Sequence, residues 1–171
     1  MHKIFILTIS IVFFILPELS AQEPMSDERM KAILQREAEK IEGEAGSWML
    51  YYQEHIILVL TDQDNNRMRI FTPIIEEKEV TPVEMQKMLR ANFHTALDAK
   101  YGMYEGFVVS VFTHPLAELR ESQLIDALQQ VVNLASSFGG SYSSSDLIFE
   151  DSGEEPADKR INQSPRKQKR S

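Results

Sequence analysis

The sequence predicts an α+β fold with the element order α-β-β-β-α-β-β-α and an antiparallel or mixed sheet packed with helices. Three observations lead to this prediction. Apolar residues recur at helical spacing in three segments, short apolar or alternating runs lie between them, and Gly, Pro, Asp and Asn punctuate the boundaries. The chain has 171 residues and no cysteine, so we expect the core of one domain without disulfides.

The first 21 residues have the layout of a secretory signal peptide, with a basic start, an apolar run over residues 4–16 and small residues before Gln22. This run is shorter than the roughly 20 residues that span a bilayer. We therefore expect cleavage after Ala21 and an exported protein, periplasmic or secreted, and the alternative is an uncleaved anchor. Residues 22–149 are expected to form a single α+β domain, and residues 150–171 a disordered charged tail.

The chain carries 18 basic and 26 acidic residues, and the acidic excess falls on residues 22–149. An acidic body repels phosphates, so we expect no nucleic-acid partner. Residues 166–170 are basic apart from one glutamine. They either contact an anionic surface such as lipid head groups or form a solvated tail. Membrane contact is expected only through this tail or through an uncleaved signal.

The first half of the domain is predicted to hold one helix and three strands. The helix covers residues 26–42, where apolar residues line one face, and Gly43 and Gly46 end it. The strands are separated by polar turns at 53–54 and 62–66 and cover residues 47–52, 55–60 and 67–75. The continuous apolar run of the second strand is typical of a strand covered on both faces.

The second half begins with a strong helix start at Thr81, which is followed by Pro82 and, three residues on, by Glu84. This spacing predicts a capping box and a helix that reaches Phe93. The remaining elements are predicted as strands at 96–101 and 107–112, a turn at 102–106, a helix at 119–138, a flexible serine-rich link at 141–145 and a docking segment at 147–149.

The strand over residues 67–75 alternates, and its Pro73 cannot donate a ladder hydrogen bond. We therefore expect this strand to lie at an edge of the sheet or to end at Pro73. Such an edge accepts an extended peptide, and Met68, Ile70 and Phe71 would shape the side-chain pockets. The arginines and the proline of this strand equally suit the blocking of edge pairing, so both interpretations stay open.

No residue pattern indicates catalysis or a metal site. His55, His94 and His114 belong to separate elements and lack the spacing of metal ligands. Residues 62–66 begin like a calcium loop but lack its later Gly and Glu, so a hairpin turn is favoured. The acidic residues 76–79 lie in a connection, where solvated charge is usual. We expect no cofactor and no enzymatic activity, with a small exported hydrolase or a membrane-anchored structural protein of the envelope as alternatives.

Four features in combination carry a resemblance to a known family. They are the strand that contains Trp48, the sequence Arg-Met-Arg-Ile-Phe-Thr-Pro-Ile at 67–74, Asn92 at the end of the middle helix, and a final strand–Pro115–helix unit. Over residues 30–138 the chain resembles the YbjN family of small bacterial domains, which share the fold of type III secretion chaperones such as the Tir chaperone. The resemblance implies a non-enzymatic module that binds a protein or peptide partner, often as a homodimer.

The middle helix is the usual dimer seam of those chaperones. Here it carries four apolar residues, more than packing on one sheet face requires: Met85, Met88, Leu89 and Phe93. We therefore expect a homodimer through this helix. Flexible thioethers suit adaptable protein-binding surfaces, although ordinary core packing explains the methionines as well.

Overall fold

The computed structural model describes residues 23–145. The predicted signal peptide, the docking segment at 147–149 and the charged tail lie outside these described residues and stay predictions. Residues 23–145 form three α-helices and six β-strands in the order α1-β1-β2-β3-β4-α2-β5-β6-α3. No helix in this part of the chain has the length and apolar content to cross a membrane.

The helices are α1 (Asp27–Glu37), α2 (Pro82–His94) and α3 (Glu121–Ser136). The strands are β1 (Lys40–Glu44), β2 (Ser47–Tyr52), β3 (His55–Asp62), β4 (Arg67–Glu76), β5 (Lys100–Tyr104) and β6 (Phe107–His114). A short 3-10 helix, Glu77–Glu79, leads from β4 towards α2.

The strands form one sheet in the order β1-β2-β3-β4-β6-β5, and every neighbouring pair is antiparallel. The first four strands follow the chain as a meander. Strand β6 then lies between β4 and β5, so β1 and β5 are the two edges. The predicted α+β class is confirmed, and the predicted helices and strands occur in the predicted order with one additional strand, β1.

The helices pack on one face of the sheet. Helix α3 lies across β4, β6 and β5, α1 lies beside α3 and β1, and α2 packs on β5 at the edge. The alternation of β2 separates the two faces, because Trp48 and Leu50 are buried in the core whereas Met49 and Tyr51 are exposed on the other side. The core therefore lies between the sheet and the helices.

The predicted helix over residues 26–42 is wrong in its second half. Helix α1 ends at Glu37, and Ala38 is already extended, with its N–H donating to the carbonyl of Leu34 at 2.9 Å. The next residues pair with β2 as strand β1. Gly43 has φ +107°, and a Cβ there would lie 2.3 Å from the carbonyl oxygen of Ser47. Tertiary pairing thus overrides the local helix preference of this segment.

The prediction that residues 67–75 form an edge strand is also wrong. Strand β4 lies in the middle of the sheet, between β3 and β6. Pro73 stands opposite Val109, where the register shifts between Pro73 and Ile75, and such an irregularity accommodates a missing N–H donor. Met68 and Ile70 are buried in the core, so they do not shape pockets along an edge.

Strand β3 is covered on one face only, contrary to the prediction from its apolar run. Ile57 and Val59 are fully buried, whereas Ile56 is 53% exposed and Leu58 and Leu60 are half-buried. The reason is that the helices of residues 23–145 lie on one side of the sheet. The apolar run therefore reflects a second, solvent-facing apolar surface.

Several local predictions are confirmed and two are shifted. Strand β2 has the predicted bounds, and Gln53 and Glu54 form the predicted turn with φ of 47° and 63°. The capping box at Thr81 is present. Strand β5 begins at Lys100 rather than at residue 96, and it includes Gly102, which the sequence suggested for a turn.

The serine-rich residues 141–145 are not the flexible link that the sequence suggested. Tyr142 and Ser144 are buried. The hydroxyl of Thr95 donates to the carbonyl of Tyr142 at 2.6 Å, and the hydroxyl of Ser144 accepts from the N–H of Leu97 at 2.6 Å. These bonds hold the segment against the connection between α2 and β5.

Candidate functional site

The face of the sheet opposite the helices is apolar, and we call it the open face. Five of its large apolar side chains are well exposed, namely Met49, Tyr51, Ile56, Tyr104 and Phe107. Register and alternation place Leu58, Leu60, Phe71, Val109 and Val111 on the same side. Large exposed apolar surfaces are typical of interaction sites in proteins.

At the β5 end of the open face is a hollow of about 250 Å³. Its floor includes Phe71 and Val109, which are only 6% and 4% exposed, and Leu60 and Val111 lie beside them. The ring of Tyr104 packs edge-on against Phe71 with centroids 5.2 Å apart. The hollow is slightly smaller than a typical small-molecule pocket and suits one or two apolar side chains.

Arg69 adds a charge to this apolar hollow. It lines the hollow next to Phe71 on the open face, opposite Leu60 of β3. No carboxylate of residues 23–145 lies within ion-pair distance of its guanidinium. The pKa of Tyr104 is raised, chiefly by its hydrogen bond with Glu105, and the charge of Arg69 opposes that rise. The hollow therefore combines apolar walls with a cation that no described acidic group neutralises.

A second apolar surface runs along α2. We call Met85, Leu89 and Phe93 the α2 stripe, because their spacing places them on one side of the helix. Leu89 is 66% exposed and Phe93 is 82% exposed, and Met85 is half-buried. Between the α2 stripe and β5 lies a groove of about 330 Å³, with Met103 on its far side and no charged residue in its lining.

The structure places the seven predicted binding residues in three locations. Met68, Ile70 and Met88 are in the core, Phe71 is in the hollow, and the remaining three, Met85, Leu89 and Phe93, form the α2 stripe. Of the predicted binding strand only Phe71 lies at an accessible hollow, and of the four residues predicted on the dimer helix only Met88 is buried in the core. The binding roles of the accessible residues stay predictions.

Sequence reasoning missed the contributions of Arg69, Tyr104 and the β6 valines to the hollow. The alternation of β4 already placed Arg69 and Phe71 on one face, which was sufficient to pair them. The contribution of β6 could not be found in this way, because its position beside β4 depends on contacts that are distant in the chain.

The three histidines occupy separate environments. His55 Nε2 lies 3.2 Å from the hydroxyl of Ser136, His94 packs edge-on against Phe93, and His114 stacks on Phe112. Within residues 23–145 no hydrogen bond joins any of these histidines to a carboxylate, and no group of three metal-ligating residues is assembled.

The turn after β3 is a hairpin turn, as predicted. The carboxylate of Asp62 accepts hydrogen bonds from the side chain of Asn65 at 2.8 Å and from its backbone N–H at 3.0 Å. Both bonds hold the pKa of Asp62 below its ordinary value, and the bond from the Asn65 side chain has the larger effect. Asn66 takes φ 52°, which Asn tolerates well in turns. The calcium-loop spacing is explained by turn geometry alone.

No protein-family model matches this sequence, and no curated protein matches it. Resemblance to the YbjN family therefore stays a prediction. Among solved structures, the chain is similar to the Yersinia pestis type III secretion chaperone SycH, which is in complex with a stable fragment of YscM2. The identity is 14%, the TM-score is 0.48, and the match covers 64% of this chain and 98% of that one.

Two further solved structures are similar. A chain of the HopA1–SchA chaperone–effector complex has 14% identity and a TM-score of 0.48, over 63% of this chain and 91% of that one. A chain of the ExsC–ExsE complex has 12% identity and the same TM-score of 0.48, over 64% of this chain and 90% of that one.

Proposed function

We propose that this chain is an exported, non-enzymatic module that binds a polypeptide partner through the open face. The observation that carries the proposal is the apolar surface opposite the helices, on which Ile56 and Tyr51 are exposed although the strands beneath them are fully paired. Leaving such side chains in water costs about 25 cal/mol per Å² of apolar area, which a bound partner recovers.

The geometry of the open face favours an extended or helical polypeptide over a small molecule. The apolar residues are spread over several strands, with modest hollows of about 250 and 200 Å³ at the β5 end and the β1 end of the face. A broad surface that is rich in aromatic and methionine side chains is typical of a protein interface. The alternative of a hydrolase has no comparable observation behind it, because the three histidines make no hydrogen bond to a carboxylate in the described part of the chain.

The α2 stripe supports a second element of the proposal, the homodimer. Leu89 and Phe93 are the most exposed large apolar side chains of residues 23–145. Because α2 lies at the β5 edge, two copies can join there without covering the open face. The stripe and the open face thus serve assembly and partner binding separately.

Photo-crosslinking in the native cell tests the binding surface. A photoreactive residue replaces Ile56 on the open face, and in the matched control it replaces Gln35, which is exposed on α1. We expect a polypeptide adduct from position 56 and none from position 35. Adding Met49→Glu, a charge beside position 56, is expected to reduce the adduct by at least about tenfold, which corresponds to about 1.4 kcal/mol.

The proposal is wrong if position 56 gives no adduct while the domain stays folded and photoreactive residues on the α2 stripe do give one. Equal adducts from positions 56 and 35 also contradict it, since they indicate contact without a preferred surface.

A further inference from the structure

We propose that the hollow at the β5 end selects polypeptide partners that carry an acidic residue close to an apolar one. The apolar side chain of the partner would pack on Phe71 and Val109, and the side-chain carboxylate would pair with Arg69. This inference rests on the proposed function and adds to it the chemistry of the segment that the open face binds.

The hollow is open because the edge strand β5 presents a glycine beside it. Gly102 stands opposite Val109 and contributes no side chain to the space next to Phe71. A Cβ at Gly102 would lie 3.4 Å from a methyl carbon of Val111 and 3.7 Å from one of Val109, which are ordinary contact distances. A side chain is therefore sterically possible here, and its absence leaves apolar area uncovered. Glycine inside a strand often marks a place that a ligand or another backbone approaches closely.

Arg69 supplies the charge that selects the partner. Its opposite residues on the two neighbouring strands are Leu60 and Thr113, and neither is charged. Arg67, two residues earlier on the same face, stands opposite Asp62 and does not line the hollow. The guanidinium of Arg69 thus has no carboxylate within ion-pair distance among residues 23–145. A carboxylate that reaches it at the rim of an apolar surface makes a charge-assisted, bidentate pair.

The charged and apolar parts of the hollow have a spacing that a polypeptide can match. Arg69 and Phe71 are two residues apart on one face of β4, so about 6.6 Å separates their positions along the strand. Residues i and i+2 of an extended segment have the same separation and point to the same side. An acidic residue two positions from a leucine, isoleucine, methionine or phenylalanine therefore reaches both parts.

Two other apolar surfaces lack this combination. The hollow at the β1 end includes Lys40 and Glu42, which form an ion pair with each other at 2.5 Å, so its cation is already neutralised. The groove beside the α2 stripe has no charged residue in its lining. Of these three surfaces, only the hollow at the β5 end offers an apolar floor together with a cation that has no described acidic partner.

Selection from a random dodecapeptide library on phage tests the charge, with the purified protein as bait. We expect the enriched peptides to carry Asp or Glu two positions from an apolar residue several-fold more often than the starting library does. With Arg69→Glu as bait this acidic preference should disappear or give way to Lys and Arg. With the matched control Arg67→Glu it should remain. An enrichment without acidic residues, a preference that Arg69→Glu leaves unchanged, or no enrichment at all would overturn the proposal.

Filling the hollow tests its apolar part. Gly102→Val places a branched side chain against Val109 and Val111, and Gly102→Ala places a smaller one there. We expect the Kd of an enriched peptide, measured by fluorescence anisotropy, to rise at least about tenfold in Gly102→Val and less in Gly102→Ala. Valine suits a strand better than glycine, so the free energy of unfolding should not fall. An unchanged Kd in a folded Gly102→Val contradicts the proposal, and Gly102→Ala decides in the same way if the larger variant does not fold.

The crosslink at position 56 separates this inference from the proposed function, because Ile56 lies on the open face but outside the hollow at the β5 end. If position 56 gives a polypeptide adduct and the enriched peptides show no acidic preference, only the inferred selectivity fails. If position 56 gives no adduct, the proposed function fails, whereas the selectivity of the hollow stands or falls by the comparison of Arg69→Glu with Arg67→Glu.

Discussion

The side chain of Asn92 on α2 makes both hydrogen bonds to the backbone of Tyr101 on edge strand β5. Its Nδ2 donates to the carbonyl of Tyr101 at 3.1 Å, and the N–H of Tyr101 donates to its Oδ1 at 2.7 Å. These are the two bonds that a neighbouring strand would make at this residue. Asn92 therefore fixes α2 to the sheet and closes this edge at Tyr101 to strand addition.

Replacing this asparagine should cost stability. Asn92→Ala leaves the N–H and carbonyl of Tyr101 without their partners in a half-buried position. We expect the free energy of unfolding to fall by about 1–3 kcal/mol in urea titrations. The control, Gln86→Ala at an exposed position of the same helix, should change it by less than about 0.5 kcal/mol. Equal effects of the two substitutions would show that the bonds to Tyr101 contribute little.

Stability should fall at high pH through Tyr101. Burial, the largest cause, raises the pKa of Tyr101 from 10.0 to about 12, and its hydroxyl donates to the carbonyl of Leu134 at 2.8 Å. The pKa of Tyr101 is higher in the folded than in the unfolded state. The contribution of Tyr101 to the free energy of unfolding is therefore complete below pH 10 and is lost as the pH rises towards about 12. In urea titrations between pH 10 and about 12, the free energy of unfolding should fall less steeply with pH for Tyr101→Phe than for the unchanged chain. Parallel curves would contradict this assignment.

The homodimer should depend on the α2 stripe. Phe93→Glu places a charge on its most exposed side chain and should convert a dimer to a monomer in light scattering at tens of micromolar, about the range in which weak interfaces still associate. Val83→Glu is the matched control, because Val83 is 63% exposed on α2 but lies outside the stripe. A monomer already present in the unchanged chain would remove the dimer from the proposal.

Substitution of two isoleucines tests whether one face of the sheet is buried and the other exposed. Ile70→Ala empties a fully buried position of β4 and should lower the free energy of unfolding by about 2–5 kcal/mol. Ile56→Ala shortens a side chain of the same type that is 53% exposed on the open face, and should cost well under half as much. Similar losses would mean that the open face is covered in the folded chain.

The expected cleavage of the signal peptide can be tested by the mass of the mature protein. If the signal peptide is cleaved after Ala21, the protein isolated from its native envelope should begin at Gln22. Intact mass and N-terminal sequencing measure this directly. A protein that retains Met1 would support the membrane-anchored alternative instead.

The local features of this fold were predictable because their causes are local. The turn at Gln53-Glu54 and the capping box of Thr81 and Glu84 depend on neighbouring residues, and both form as expected. Strand β1 was not predictable in this way. Its residues 40–42 suit a helix by composition, and only pairing with β2, which the close approach at Gly43 permits, makes them part of a strand.

The candidate site was predictable only where it lies on one strand. Phe71 was expected among the binding residues and lines the hollow. The position of β4 was not predictable, since Pro73 suggested an edge and the insertion of β6 beside β4 brings together residues about forty positions apart. The buried serine segment was misread for a similar reason, because Thr95 and Leu97 satisfy its polar groups from across the fold.

The alternation of β2 and β3 has a consequence for how this protein can change. Trp48, Leu50, Ile57 and Val59 hold the core, and the residues between them point away from it. Substitutions at Met49, Tyr51 and Ile56 thus alter what the sheet presents to its surroundings with little effect on folding. The residues that stabilise the core and the residues that face the surroundings thus alternate along the same strands, so the exposed set can change while the core stays intact.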